Sequence, residues 1–201
     1  MIVRASTDGI AHAAEMLHQG GVVAFPTDTL YGLAVDPRRD DAIERLFALK
    51  GRRPDAAVPL IAADLAQAME AGEFGARELT LAHTFWPGPL SIVVPARAAI
   101  SRAALGGGTT VAIRVPAHDV ARELAASFVF AITATSANAS GQPPAETAED
   151  VAASVAEVDM ILDGGRVTGG RPSTIVRFDG GVPTCLRDGA IAWDRVLKSL
   201  Q

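Results

Sequence analysis

Short apolar runs of strand length recur along this chain, each parted from the next by a helix-patterned stretch or a turn, and that alternation most constrains its fold. Runs at 22–25, 58–62, 90–95, 109–115, 128–133, 160–162, 173–178 and 182–186 are short and bounded by Gly, Pro or polar clusters, as strands are. Helical patterns fill 7–19, 41–50, 64–71, 76–85, 119–127, 149–157 and 193–200. Thr7-Asp8 supplies a cap for the first helix and Gly20-Gly21 its end; Asp40 caps the second, with Ile43, Leu46, Phe47 and Leu49 on one side and Gly51 as its stop. Trp86-Pro87-Gly88-Pro89 is a turn, because two prolines and a glycine cannot continue a helix. Interspersed strands and helices predict an α/β fold. The hairpin signal Asp179-Gly180-Gly181 and the short connections predict a twisted sheet of mixed, largely antiparallel pairing, flanked by helices. No repeat or linker composition interrupts the pattern, so the expectation is one domain over 1–201.

Composition removes several function classes. Hydrophobic residues make up 49%, enough for a substantial core, but aromatics only 5%, so aliphatic side chains must fill it. A net charge of −5 argues against binding nucleic acid mainly through phosphates. The one cysteine, Cys185, excludes an internal disulfide and reads as a small core residue, which suits a reducing, cytoplasmic location. His12, His18, His83 and His118 are scattered, so no protein-ligated metal is expected. No segment reaches the ~18 apolar residues of a membrane span, and the N-terminus lacks the apolar run of a signal peptide.

Five polar clusters carry the chemistry. Pro26-Thr27-Asp28-Thr29-Leu30-Tyr31-Gly32-Leu33 follows the strand Gly21-Val22-Val23-Ala24-Phe25, and so delivers two hydroxyls, a carboxylate and a phenol to a strand end, where α/β folds bind ligands. Lys50-Gly51-Arg52-Arg53-Pro54 sets three cations at a helix C-terminus; they either answer the helix dipole or form an anion site. Arg114 stands alone in the apolar strand Val111-Ala112-Ile113-Arg114-Val115, where an unpaired charge is costly. It must meet a carboxylate, either the protein's own or a substrate's. Thr135-Ser136-Ala137-Asn138-Ala139-Ser140-Gly141 offers hydroxyls, an amide and exposed backbone in a loop suited to phosphate or ribose. Ser136 has no GxSxG setting and no His/Asp pair, so it is not a hydrolase nucleophile. The last cluster joins Arg171-Pro172-Ser173-Thr174-Ile175 to Arg187-Asp188-Gly189, with Gly169-Gly170 allowing a sharp bend before Ser173.

In this order, with Trp86-Pro87-Gly88-Pro89 and Arg114-Val115-Pro116 between them, the clusters resemble the YrdC-like family of threonylcarbamoyl-AMP synthases over about residues 20–189. The match is to its short, single-domain form. Three positions depart from the family pattern. Asp28 stands where glutamate is usual; the basic motif carries an extra residue, and spacing from Lys50 favours Arg52 over Arg53 for the arginine role; Ala63 stands where a histidine is common.

The resemblance implies that L-threonine, bicarbonate and ATP, with Mg²⁺ accompanying the nucleotide, give threonylcarbamoyl-AMP and pyrophosphate. Partner tRNA threonylcarbamoyl-transferase proteins would then pass the group to tRNA. It implies that Lys50 and Arg52 are catalytic and hold the phosphates and carbamate. Thr29, Tyr31, Arg114 and Ser173 would hold the threonine moiety, with Thr110, Ser136, Asn138 and Arg187 on the nucleotide. A reaction of this kind asks for positioning and charge neutralisation rather than a nucleophile. The competing expectation is a double-stranded RNA or tRNA binder, or ribosome-assembly factor, without turnover. Residues 50–53 are its support, and they also allow a weak tRNA contact in an enzyme. The acidic total and the lack of interleaved aromatics count against it.

Overall fold

The computed structural model describes residues 1–51, 56–138, 141–155, 157–167 and 169–201. Its strands are β1 (Ile2–Arg4), β2 (Val23–Phe25), β3 (Gly32–Ala34), β4 (Leu60–Ile61), β5 (Leu90–Pro95), β6 (Thr110–Arg114), β7 (Ile132–Thr133), β8 (Thr135–Ser136), β9 (Met160–Asp163), β10 (Thr174–Asp179) and β11 (Val182–Arg187). Its helices are α1 (Thr7–His18), α2 (Asp40–Lys50), α3 (Leu65–Ala71), α4 (Ala76–Phe85), α5 (Asp119–Phe128), α6 (Ala148–Ser154) and α7 (Trp193–Lys198).

The helices bury stripes at the expected spacing. In α1 the stripe is Ile10, Ala13, Ala14 and Leu17, and in α5 it is Ala121, Leu124, Ala125 and Phe128. The two helices pack together, with the His18 and Phe128 rings 4.5 Å apart. The α1 cap is Ser6, which accepts from the Gly9 amide at 3.2 Å, one residue earlier than Thr7-Asp8. Phe128 completes the α5 stripe, so the strand expected from 128 is confined to 132–133, after Val129 ends the helix in the left-handed region. In α2 the buried stripe is Ile43, Leu46, Phe47 and Lys50. Lys50, not Leu49, takes its last position, and Gly51 closes the helix with φ +58°.

The strands form two mixed sheets where a single one was expected. One has the order β1-β9-β2-β3-β8, the other β11-β10-β5-β6-β4-β7. Parallel pairs (β1/β9, β2/β9, β4/β6, β5/β10) stand beside antiparallel ones such as β2/β3 and the β10/β11 hairpin. β7 belongs to one sheet and β8 to the other, with only Ala134 between them. Thr133 fastens this crossing: its Oγ1 accepts from the Val35 amide at 2.8 Å and donates to the Leu33 carbonyl at 3.3 Å. The polar loop expected from 135 thus begins as a strand, paired Gly32↔Ser136 and Leu33↔Thr135. Among the described residues no helix is long and apolar enough to cross a membrane.

Candidate functional site

Where the chain crosses between sheets, a cavity of about 550 Å³ opens over one face of the six-stranded sheet. That face contributes Ser91 of β5, Ala112 and Arg114 of β6, Ile175 of β10 and Arg187 of β11. The β2–β3 turn contributes Thr29 and Tyr31, and β8 with its following loop contributes Ser136 and Asn138.

The turn is built by Thr27. Its hydroxyl donates to the Leu30 carbonyl at 2.7 Å and accepts from the Thr29 and Leu30 amides, each at 3.2 Å. Thr27 therefore folds the loop, and it lines the cavity together with Thr29, whose hydroxyl lies 3.2 Å from its own. The Tyr31 ring lines the cavity, but its hydroxyl donates to the Gly165 carbonyl at 2.8 Å and accepts from the Gly164 amide at 3.3 Å. Burial pushes this phenol up to about 12, so it remains a donor at neutral pH.

Among the described residues, two guanidiniums line the cavity and no Asp or Glu does. Arg114 is buried, with its Nη1 3.0 Å from Asp28 Oδ1. Burial pushes its pKa down, Asp28 pulls it up, and Arg187 pushes it down again, so the two arginines feel each other's charge. Arg187 is held by neutral groups: its Nε donates to the Ser173 carbonyl at 2.9 Å and its Nη2 to Ser173 Oγ at 2.8 Å. Ser173 Oγ in turn meets Ser91 Oγ at 2.9 Å. The Arg187 turn is locked behind this by Thr174, whose Oγ1 accepts from the Gly189 and Ile191 amides and donates to the Ile191 carbonyl.

Lys50 reaches the site from the buried face of α2. Its ammonium donates to the Ser136 carbonyl and, at 2.9 Å, to the Asn138 carbonyl, tying down the loop whose side chains line the cavity. The Asn138 amide group also donates to the Gln142 carbonyl.

Of the residues expected at the site, Thr29, Tyr31, Arg114, Ser136, Asn138, Ser173 and Arg187 are brought together here, with Lys50 directly behind. Thr110 is not: it is exposed at the far end of β6, opposite Pro95 and roughly 13 Å along the strand from Arg114. Arg52 and Arg53 lie outside the described residues. Ala63 lines a separate cavity of about 210 Å³ with His83, Trp86, Pro87 and Arg122. Sequence reasoning missed Ser91, and it named Thr135 in its polar cluster without giving it a role of its own. For Ser91 the signal was present, a single polar side chain within the strand Leu90–Pro95.

A family model named Sua5/yciO/yrdC and described as "Telomere recombination" matches residues 15–189. A threonylcarbamoyl-AMP synthase of Halorhodospira halophila is 42% identical over 183 residues, which cover 90% of this chain and 90% of that protein. One from Pyrococcus abyssi is 36% identical over 188 residues, covering 92% of this chain and 55% of its own length, so the chain spans about half of that longer relative. The crystal structure of P. abyssi Sua5 complexed with L-threonine superposes with a TM-score of 0.92 at 34% identity, covering 99% of this chain and 59% of the other. Escherichia coli YciO shares the fold, with a TM-score of 0.81 at 24% identity over 90% of this chain and 89% of its own. The matched span contains every segment that lines the cavity, from Thr27 to Arg187. The chain belongs to the Sua5/YciO/YrdC family.

Proposed function

We propose that this protein is a cytoplasmic L-threonylcarbamoyladenylate synthase: L-threonine, bicarbonate and ATP give threonylcarbamoyl-AMP, pyrophosphate and water, for transfer onto tRNA by partner proteins. The observation that carries this reading is the charge of the cavity, where Arg114 and Arg187 converge and, among the described residues, no carboxylate lines the walls. Such a site favours anionic ligands, and both a threonine carboxylate and a nucleotide phosphate are anions.

In this reading the Arg114 guanidinium receives the threonine carboxylate, while Thr29 and Ser173 orient the rest of the amino acid. The Tyr31 ring walls the pocket, because its hydroxyl is committed to residues 164 and 165. Threonine's amine attacks bicarbonate; water leaves and a carbamate forms. A carbamate oxygen then attacks the α-phosphorus, and the bond to pyrophosphate breaks. Arg187, Ser136 and Asn138 hold the nucleotide, with Thr110 reached only if the ligand extends along β6. Lys50 brings its charge to the loop carrying Ser136 and Asn138, and Arg52 keeps the catalytic role that the sequence resemblance gives it. Pre-aimed donors acting on developing charge are the main source of rate in such chemistry.

Mg²⁺ would neutralise charge on the triphosphate. The cavity walls offer arginine, hydroxyl and amide groups, and the described residues hold no group of three or more His, Cys, Asp or Glu suited to a metal. The lining does not fit a protein-held ion, so we treat Mg²⁺ as arriving with ATP and assign it no step.

The test is incubation with ATP, L-threonine and bicarbonate, followed by mass spectrometry for threonylcarbamoyl-AMP and a pyrophosphate assay. The expected outcome is an adduct that requires all three substrates. Pyrophosphate release that is equal without threonine refutes the assignment.

A further inference from the structure

We propose that Asp28 is a positioning residue for amino-acid recognition: it aims the Arg114 guanidinium at the substrate carboxylate while leaving donors of that guanidinium free. The inference rests on the threonylcarbamoyl-AMP reading above. Its geometry is specific. Asp28 leaves the β2–β3 turn, in the five-stranded sheet, and reaches the end of β6, in the six-stranded one. One carboxylate oxygen, Oδ1, stands 3.0 Å from Arg114 Nη1, and the other, Oδ2, accepts the Ala117 amide at 3.2 Å. The two oxygens thus serve two partners rather than gripping the guanidinium fork on fork.

That arrangement has a chemical consequence. An arginine carries five N–H donors, and a two-pronged carboxylate would consume the paired set that best fits a second carboxylate. With Asp28 on Nη1 alone, the remaining donors stay available to a ligand. Both side chains are about nine-tenths buried, at 8% and 11% exposure, so the contact is shielded from water. Neither Asp28 Oδ1 nor Arg114 Nη1 makes a directed hydrogen bond, so charge rather than a directional bond holds the pair. Asp28 itself does not line the cavity. It acts on the ligand only through Arg114. The short side chain, anchored at Ala117, fixes the carboxylate with two rotatable bonds.

The test compares Asp28→Asn with the unaltered protein by calorimetry, titrating L-threonine, L-threoninol (which lacks the carboxylate) and ATP. Asparagine keeps the shape and an acceptor for the Ala117 amide but removes the charge. The expected result is a loss of threonine affinity of about tenfold, with threoninol and ATP affinities unchanged. Asp28→Glu, which restores the charge, should recover most of the preference for threonine over threoninol. Should Asp28→Asn not fold, Asp28→Ser offers a hydroxyl to the same amide and gives the same comparison. An unchanged threonine-to-threoninol ratio in the neutral variant overturns the proposal, as does an equal loss of threonine and ATP binding, the mark of a purely structural role. A glutamate variant as impaired as the asparagine one also overturns it. An unaltered protein that fails to prefer threonine to threoninol refutes the substrate reading itself, an outcome visible before any variant is made.

Discussion

Gly189 is the residue at which one methyl group should do most damage to the site from outside it. A Cβ built there would lie 2.3 Å from the Pro172 carbonyl oxygen, 2.4 Å from the Ser173 carbonyl carbon and 2.4 Å from the Thr174 nitrogen. All three are backbone atoms and cannot rotate aside, so Gly189→Ala must part the two strands of chain by at least roughly 1 Å to reach ordinary contact. The segment that must give is tied by Thr174 N–H to Pro89 O at 3.0 Å, by Ala190 N–H to Pro172 O at 2.8 Å and by the three bonds of Thr174 Oγ1. Overpacking costs about 1–3 kcal/mol, and losing one or two of these bonds adds about 1 kcal/mol each. The expected destabilisation is therefore about 2–5 kcal/mol, a fall in melting temperature of roughly 4–20 °C for a chain of this size. Because Ser173 and Arg187 flank the clash, ATP and threonine affinities should fall together, as read by calorimetry below the melting range. Gly180→Ala is the control: φ there is +58° but a Cβ meets nothing within 4 Å, so only backbone strain of about 1–2 kcal/mol applies, with no change in ligand affinity. A Gly189→Ala protein melting within a degree of the unaltered one, or indistinguishable from Gly180→Ala in both assays, refutes this account.

Three further outcomes are expected. Val129→Gly should stabilise the fold by about 0.5–1 kcal/mol, raising the urea midpoint without altering the slope, because a β-branched residue that is 75% exposed sits at φ +62° and has little burial to lose. Lys50→Met should lower stability by about 1–3 kcal/mol and weaken ATP binding, since the Ser136 and Asn138 carbonyls lose their donor, whereas a mere helix-end cation would cost less than about 1 kcal/mol in the same denaturation assay. Burial pushes the Asp159 carboxyl up, but Arg45, the Val22 amide and the N-terminal ammonium more than offset it, and its pKa lies below the ordinary carboxylate value. The stability it contributes is therefore complete above the unfolded value of about 3.9 and is lost as pH falls through the folded one; urea melts between pH 6 and 2 should show a shallower acid loss in Asp159→Asn, and an unchanged slope would refute the assignment.

What was legible in the sequence is what local pattern decides. The strand Leu90–Pro95 matches its expected bounds, and the 173–178 and 182–186 runs form the hairpin β10/β11, because turn chemistry and β-branched runs act within a few residues. β3 and β8 were not legible. Each is two or three residues long and includes Gly, Thr or Ser; β3 is held on one side by β2, close by in sequence, and on the other by β8, whose partner in the sheet, β3, lies more than a hundred residues away in sequence. The same long-range pairing splits the expected single sheet in two. At the site, Arg114 betrayed itself as a lone charge in an apolar strand, and identical logic applied to Ser91 would have found that residue too. Lys50 carried a stronger signal than its neighbouring cations: it occupies the fourth place of the 43/46/47/50 stripe, where a charge is costly unless something buried receives it. Parity along β6 does put Thr110 on the face of Ala112 and Arg114, but parity fixes the side of a sheet and not the distance to a site.

The two cavity arginines are held in unlike ways, and the difference bears on what each can bind. Arg187 leans on the Ser173 carbonyl and hydroxyl, neutral acceptors that fix its direction without cancelling its charge. Arg114 faces Asp28, which offsets part of its charge in a buried setting where an unpaired guanidinium would be expensive. A guanidinium fork exposed at the end of β11 and bonded only to neutral groups suits a polyphosphate, whose several charges gain most from an uncompensated partner. A part-compensated one in the interior suits a single carboxylate, whose arrival need not offset the whole burial cost. Under the proposed reaction this sorts the ligands by charge along the six-stranded sheet, amino acid at β6 and nucleotide toward β11. The carbamate, formed on the amino acid and consumed at the α-phosphorus, then falls between them, above Ser91 and Ser173, whose hydroxyls meet at 2.9 Å midway between the two arginine strands.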